Sequence, residues 1–172
     1  MEGCLACGLT EGTIELPGGR IYATDHWVVE HAVGPLGLGT LIVKPFRHCL
    51  HVWELMEAES RELGPLLRRV AATIHAILQP DQVYLCLWSH AGWEPGHLHF
   101  VLQPVWNAWR QKHRRPGPFL QVELFEQGVE PPRAEVEAFA GRAREVLRGL
   151  PPAAEALSSL RRAAAGASSA GG

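Results

Sequence analysis

The stretch that decides how this chain is read is His97-Leu98-His99-Phe100-Val101-Leu102-Gln103-Pro104. As a strand it sends successive side chains to opposite faces, so His97, His99, Val101 and Gln103 share one face while Leu98, Phe100 and Leu102 take the other. One face is then open to chemistry and the other to the core. A rise of about 3.3 Å per residue puts the two histidines roughly 6–7 Å apart, too far for a hydrogen bond between their rings. One can hold a metal while the other works beside it. A half-buried strand carrying two ordinary histidines has the same pattern, so the rest of the chain must separate the readings.

The 172 residues give room for one domain with extensions and a full core. A net charge of -2 excludes a bulk nucleic-acid binder and leaves any basic surface local. There is no apolar run of membrane-spanning length, and MEGCLACGLT lacks the charged region and long apolar core of a signal peptide. A cytoplasmic protein without a membrane partner is therefore expected. In a reducing compartment the four cysteines, Cys4, Cys7, Cys49 and Cys86, serve as ligands or core residues rather than in disulfides.

Cys4 and Cys7 form a Cys-x-x-Cys knuckle whose spacing lets two thiolates meet one tetrahedral zinc; a redox pair would want a strand-to-helix setting instead. Thr13 to Leu16 and Arg20 to Thr24 flank Pro17-Gly18-Gly19 and read as a hairpin. His26 to Ala32 and Thr40 to Val43 read as strands, with Trp27, Val29 and His31 on one face of the former. His48 and His51 follow where a helical pattern begins, and either can fill the same ligand role. Glu57 to Gln79 reads as a long helix with a kink at Gly64-Pro65, followed by a buried-type strand from Gln82 to Trp88. After Pro104, the cations Arg110, Lys112, Arg114 and Arg115 stand near Trp106 and Trp109. Such a run is a solvated loop or, with its aromatics, a contact to phosphates and bases. Phe119 to Phe125 reads as one more strand, and Ala134 to Leu150 as an amphipathic helix with Val136, Phe139, Ala143 and Leu147 near one face. From Pro151 the composition turns to Ala, Ser and Gly, and a disordered tail is expected over 151–172.

Cys4, Cys7, His48 and His97 are two thiolates and two imidazoles, the donor set of a closed zinc site, and they leave His99 free. A zinc held by them staples the N-terminal segment to the sheet, a structural role. The sequence here resembles the histidine triad (HIT) superfamily of nucleotide hydrolases and transferases, with the related galactose-1-phosphate uridylyltransferases. HLHFVLQP is similar to the family's His-x-His-x-His-x-x-Pro at His97, His99 and Pro104. PLGLGTLIVKPFRH, Pro35 to His48, resembles its Pro-x-x-x-Gly-His-x-Leu-Val-x-Pro-x-x-His, and Ala91-Gly92 its Ala-Gly before the triad. The resemblance implies an α+β fold: a mostly antiparallel sheet of about five strands, a long helix on one face and an added C-terminal helix. It covers residues 1–108 as a HIT-like domain with the zinc knuckle, leaving 109–150 as a C-terminal extension. It also implies a homodimer, the zinc ligands Cys4, Cys7, His48 and His97, and His99 as the nucleophile on the α-phosphate of a nucleotide. An imidazole with a pKa near 6.5 is neutral at pH 7. If a backbone carbonyl holds its Nδ1–H, Nε2 faces the substrate with a lone pair.

The departures fall where substrate is handled. Val101 takes the place of the third triad histidine, Thr40 that of the histidine after the glycine, Trp93 that of a glutamine, and Ala32 that of an acidic residue for the ribose. A lost preorganised donor costs on the order of a hundredfold in rate. Gln103, Lys44, His90 and Thr40 are the candidate substrate contacts that remain. Three functions stand open. One is a hydrolase or nucleotidyltransferase for a dinucleoside polyphosphate, nucleoside phosphoramidate or nucleotide sugar. The second is a zinc-stapled module that binds a nucleotide or protein without turnover. The third is nucleic-acid end processing through Arg110 to Arg115, which the ordinary net charge disfavours.

Overall fold

In the computed structural model, residues 1–87, 95–114 and 117–150 are described. Five strands form one antiparallel sheet: β1 (Tyr22–Ala23), β2 (Trp27–His31), β3 (Leu41–Pro45), β4 (Gln82–Leu87) and β5 (Phe100–Val105), in the order β1-β2-β3-β5-β4. Around it lie α1 (Leu5–Glu11), α2 (Glu57–Leu78), α3 (Asn107–His113), α4 (Pro118–Glu126) and α5 (Arg133–Gly149). The fold is α+β, with a long helix and a C-terminal helix as expected.

The register sets the two faces. Val29, Val43 and Phe100 are cross-strand partners in one row, and Leu41 and Leu102 in the next. With Trp27 they pack against Leu66, Val70 and Ile74 of α2 and Phe139, Ala140, Ala143 and Leu147 of α5. The 3.6-residue period of both helices delivers these side chains to one stripe. Each fully buried large side chain here contributes about 1.5–3 kcal/mol. α2 is one continuous helical segment through Gly64-Pro65, with the proline inside it. The stripe from Leu66 to Ile74, buried directly after the proline, offsets its cost of about 3 kcal/mol.

The expected hairpin is not formed. Residues 13–16 are not a strand: the Thr13 hydroxyl and the Ile14 N–H both donate to the Gly8 carbonyl, folding this segment back on α1. Gly18 and Gly19 have φ of 74° and 64°, and a Cβ on Gly18 would stand 2.7 Å from that of Ala140. The glycines thus bring the chain against α5 rather than turn a hairpin. Phe119 to Phe125 is helical, as α4, with Gly117 at its N-cap and Pro118 in the first turn. The loop expected after Trp106 is α3, whose first N–H, on Asn107, donates to the Asp81 carboxylate at 2.7 Å. That cap arrives from a distant turn, which no local pattern announces.

The polar face of the His97–Pro104 stretch also differs from expectation. The ladder starts at Phe100, so His97 and His99 stand in the chain that enters β5, and every residue of β5 is buried on both faces. Gln103 donates to the Leu36 carbonyl at 2.8 Å, and Tyr84, its cross-strand partner, accepts the Gly117 N–H at 3.4 Å. The segment around Leu36 and the start of α4 therefore lie over this face. No helix among the described residues is long and apolar enough to cross a membrane.

Candidate metal centre and active site

Cys4 caps α1, its sulfur accepting the Cys7 N–H at 3.5 Å, so the knuckle is the first turn of a helix. His48 follows β3 and His97 precedes β5. A backbone bond from Leu98 N–H to the Cys49 carbonyl, 2.8 Å, ties these two segments together. The four side chains converge: Cys4 Sγ lies 3.5 Å from His97 Nδ1, and Cys7 Sγ 3.5 Å from His48 Nδ1 and 3.6 Å from His97 Nδ1. Among the described residues they are the group that can hold a metal, their donor atoms all within 4.8 Å of one another. Zinc bonds of about 2.3 Å to sulfur and about 2.0–2.1 Å to nitrogen, at tetrahedral angles, require S–N edges of about 3.5–3.6 Å. The residues fit the ion.

The imidazoles are prepared for that role. His97 donates its Nε2–H to the Pro45 carbonyl at 3.2 Å, which turns Nδ1 toward the thiols. Burial, with only partial opposition from this bond, takes its pKa down to about 4, so the ring is neutral. Burial also pushes the Cys7 thiol up, so a proton must leave when a cation arrives. His51, the alternative to His48, stacks on Trp53 with ring centroids 4.2 Å apart and takes no part in the cluster.

His99 is half-buried and donates its Nδ1–H to the His97 carbonyl at 2.8 Å. Its Nε2 has no partner among the described residues. Burial lowers its pKa, and the Lys44 ammonium adds to that. The ring is a neutral base with one lone pair left over.

The candidate substrate contacts are placed differently. Lys44 is fully buried, its Nζ donating to Glu30 Oε1 at 2.6 Å and to the Ala6 carbonyl at 2.8 Å. Glu30 was absent from the candidates, although the alternation of β2 puts it opposite Trp27, Val29 and His31, on the face Lys44 uses. Gln103 and Thr40 are fully buried, and both donate to the Leu36 carbonyl, at 2.8 and 2.7 Å. Val101 is buried between Ile42 and Cys86. His90, Ala91-Gly92 and Trp93 lie outside the described residues, as do Arg115 and 151–172. Arg110, Lys112 and Arg114 are exposed on and just after α3. His31 proves to be a loop fastener: it donates Nδ1–H to the Ala32 carbonyl at 2.8 Å and accepts the Gly39 N–H on Nε2 at 2.9 Å.

No family model matches the sequence, and no curated protein matches it. Solved structures do resemble it. A HIT-like protein involved in cell-cycle regulation from Bartonella henselae is 16% identical, with 83% of this chain and 95% of that one covered at a TM-score of 0.61. A hypothetical histidine triad nucleotide-binding protein from Sulfolobus tokodaii is 21% identical, with 84% and 91% covered and a TM-score of 0.61. A zinc-bound histidine triad family protein from Mycobacterium smegmatis is 18% identical, with 84% and 93% covered and a TM-score of 0.59. This chain has the fold of the histidine triad proteins.

Proposed function

We propose that the protein binds a nucleotide and transfers its nucleotidyl group through His99. The observation that carries this reading is the His99 Nδ1–H bond to the His97 carbonyl, which fixes the tautomer with Nε2 free. Nε2 attacks the α-phosphorus, an N–P bond forms, and the bond to the leaving group breaks with its electron pair; a proton then neutralises the leaving group. Water, losing a proton to solvent, or the oxyanion of a second phosphate next attacks the same phosphorus. The N–P bond breaks and the imidazole returns neutral. The substrate class is a dinucleoside polyphosphate, a nucleoside phosphoramidate or a nucleotide sugar, handled by a homodimer.

Zinc on Cys4, Cys7, His48 and His97 would serve as a structural staple, because four protein ligands leave it no open position for chemistry. These residues would place the ion between the start of α1 and the chain that enters β5, where the ligand His97 stands two residues before His99.

The rival reading, a module that binds a nucleotide or protein without turnover, is favoured by one specific set of contacts. Lys44 is fully buried against Glu30, and Gln103 and Thr40 are fully buried against the Leu36 carbonyl, so none of the three stands open to a phosphate. The experiment is a trap for the covalent intermediate. The protein is incubated with a labelled dinucleoside polyphosphate, an adenosine phosphoramidate and a nucleotide sugar, held at high pH, and weighed intact beside His99→Ala. A nucleotidyl adduct on the wild type alone is expected. Tight binding without adduct or turnover would transfer the assignment to the non-catalytic module.

A further inference from the structure

The two imidazoles of the metal cluster are secured by different means. His97 is fixed through its own ring, by the Nε2–H bond to Pro45. For His48 no second-nitrogen partner exists among the described residues, and the ring is half-buried. Its segment, between β3 and α2, has no regular secondary structure apart from a short 3₁₀ turn at Val52–Glu54. Backbone bonds from Leu98 N–H to the Cys49 carbonyl and from Phe46 N–H to the His26 carbonyl hold the neighbours of His48, and side chains add a further hold.

That hold comes from Arg47 and Glu59. Arg47 meets Glu59 in a two-pronged pair, Nε to Oε1 at 2.7 Å and Nη2 to Oε2 at 2.9 Å, and Nη2 also donates to the Glu54 carbonyl. Glu59 is almost wholly buried. Its Oε2 accepts the Met56 N–H at 2.7 Å, and its own carbonyl accepts the Trp27 indole N–H at 3.0 Å. Glu54 in turn accepts the Leu50 and His51 N–H groups, each at 2.8 Å. The Arg47 side chain, directly before His48, is thus tied to the first turn of α2, and the backbone at Leu50 and His51 beyond it to Glu54 of the 3₁₀ turn, which Arg47 also reaches. A planar fork on a buried carboxylate fixes direction as well as distance, which a lysine could not reproduce.

We propose that Arg47 and Glu59 are positioning residues for the metal: they hold His48 in ligating position, so that the ion leaves slowly. This rests on the zinc reading above. The half-exposed His48 is the ligand that solvent or a chelator reaches first, and the other three are held by α1 and by the Pro45 bond. A loosened His48 opens a coordination position without disturbing the rest. Outer partners of metal ligands are worth about 10–100-fold in affinity, and the same range is expected here in the rate of zinc release.

The test uses the zinc-loaded full chain, with Arg47→Lys and Glu59→Gln compared against Phe139→Leu, which lowers stability from α5 at a distance from the cluster. Zinc release to a chromophoric chelator is followed in time, and the cobalt-substituted proteins are compared by their visible absorption. Arg47→Lys, which keeps the charge and loses the fork, and Glu59→Gln should release zinc about 10–100-fold faster. Both should also weaken the intense tetrahedral cobalt bands, while Phe139→Leu leaves both readouts at wild-type values. Wild-type release rates and spectra in the two clamp variants would overturn the proposal, as would equal acceleration in Phe139→Leu. A wild-type chain that takes up no zinc or cobalt removes the metal reading itself, a distinct result.

Discussion

Gly39 closes the loop that His31 fastens, and its replacement by alanine tests how the sheet, α2 and α5 meet. Its φ is 83°, and a Cβ there would lie 2.3 Å from Leu78 Cδ1 and 3.3 Å from Phe139 Cε2. A side chain in the left-handed region costs about 1–2 kcal/mol, and forcing a methyl into a packed site costs about 1–3 kcal/mol more. Gly39→Ala should therefore lose about 2–5 kcal/mol, a large part of the roughly 5–15 kcal/mol that holds a domain together. Gly34 separates the two contributions: its φ is 103°, yet nothing lies within 4 Å of the Cβ position. Gly34→Ala should show the conformational cost alone, about 1–2 kcal/mol. Urea denaturation of both variants, with Leu78→Ala made alone and added to Gly39→Ala to make room, gives the full cycle. The double variant should recover part of the loss. If Gly39→Ala costs no more than Gly34→Ala, the close approach of α2 and α5 to this glycine is refuted.

Cys7→Ala or His48→Ala should abolish zinc binding and cost about 4 kcal/mol or more, on the scale of a lost metal site. Elemental analysis and thermal melts check this, and a metal-free wild type that melts with the holoprotein would contradict it. Glu30→Gln leaves the Lys44 ammonium buried without its counter-charge, at about 3–5 kcal/mol. Adding Lys44→Met should restore most of that in denaturant melts, and failure to restore it would mean the pair is not the cause. Burial lowers the pKa of His31, so the folded state keeps this ring neutral while the unfolded chain protonates it below about pH 6.5. Its contribution is complete above that pH and is lost as pH falls toward the folded value, at up to about 1.4 kcal/mol per unit. His31→Gln should flatten the acid limb of stability against pH by that slope, and an unchanged limb would argue against a neutral buried His31.

Periodicity made most of the architecture legible. β2 and β3 are runs of apolar and β-branched residues near the expected bounds, and α2 and α5 bury the stripes their spacing marks; β4 also keeps its bounds, but as an edge strand it is exposed or half-buried rather than of the buried type expected. The failures have a shared physical cause, in that distant contacts overrode local pattern. Phe119 to Phe125 alternates like a strand, but Gly117 and Pro118 begin a helix there; α3 depends on a cap from Asp81. The metal cluster was readable because donor types and spacing constrain it strongly. The fates of Lys44, Thr40 and Gln103 were not, since each is fixed by a partner, Glu30 or the Leu36 carbonyl, whose proximity only the folded chain creates.

The contact between Cys4 and His97 joins positions 93 residues apart. On a ribosome adding roughly 5–20 residues each second, about 5–20 s pass between the emergence of the two. Until Lys44 and His48 are made, about halfway through that interval, the helix that carries the thiols has neither its anchor nor an imidazole to dock against, and His97 comes only at the end. Cys4 and Cys7 are thus made well before the residues that complete their cluster, and they remain an open pair until His97 follows.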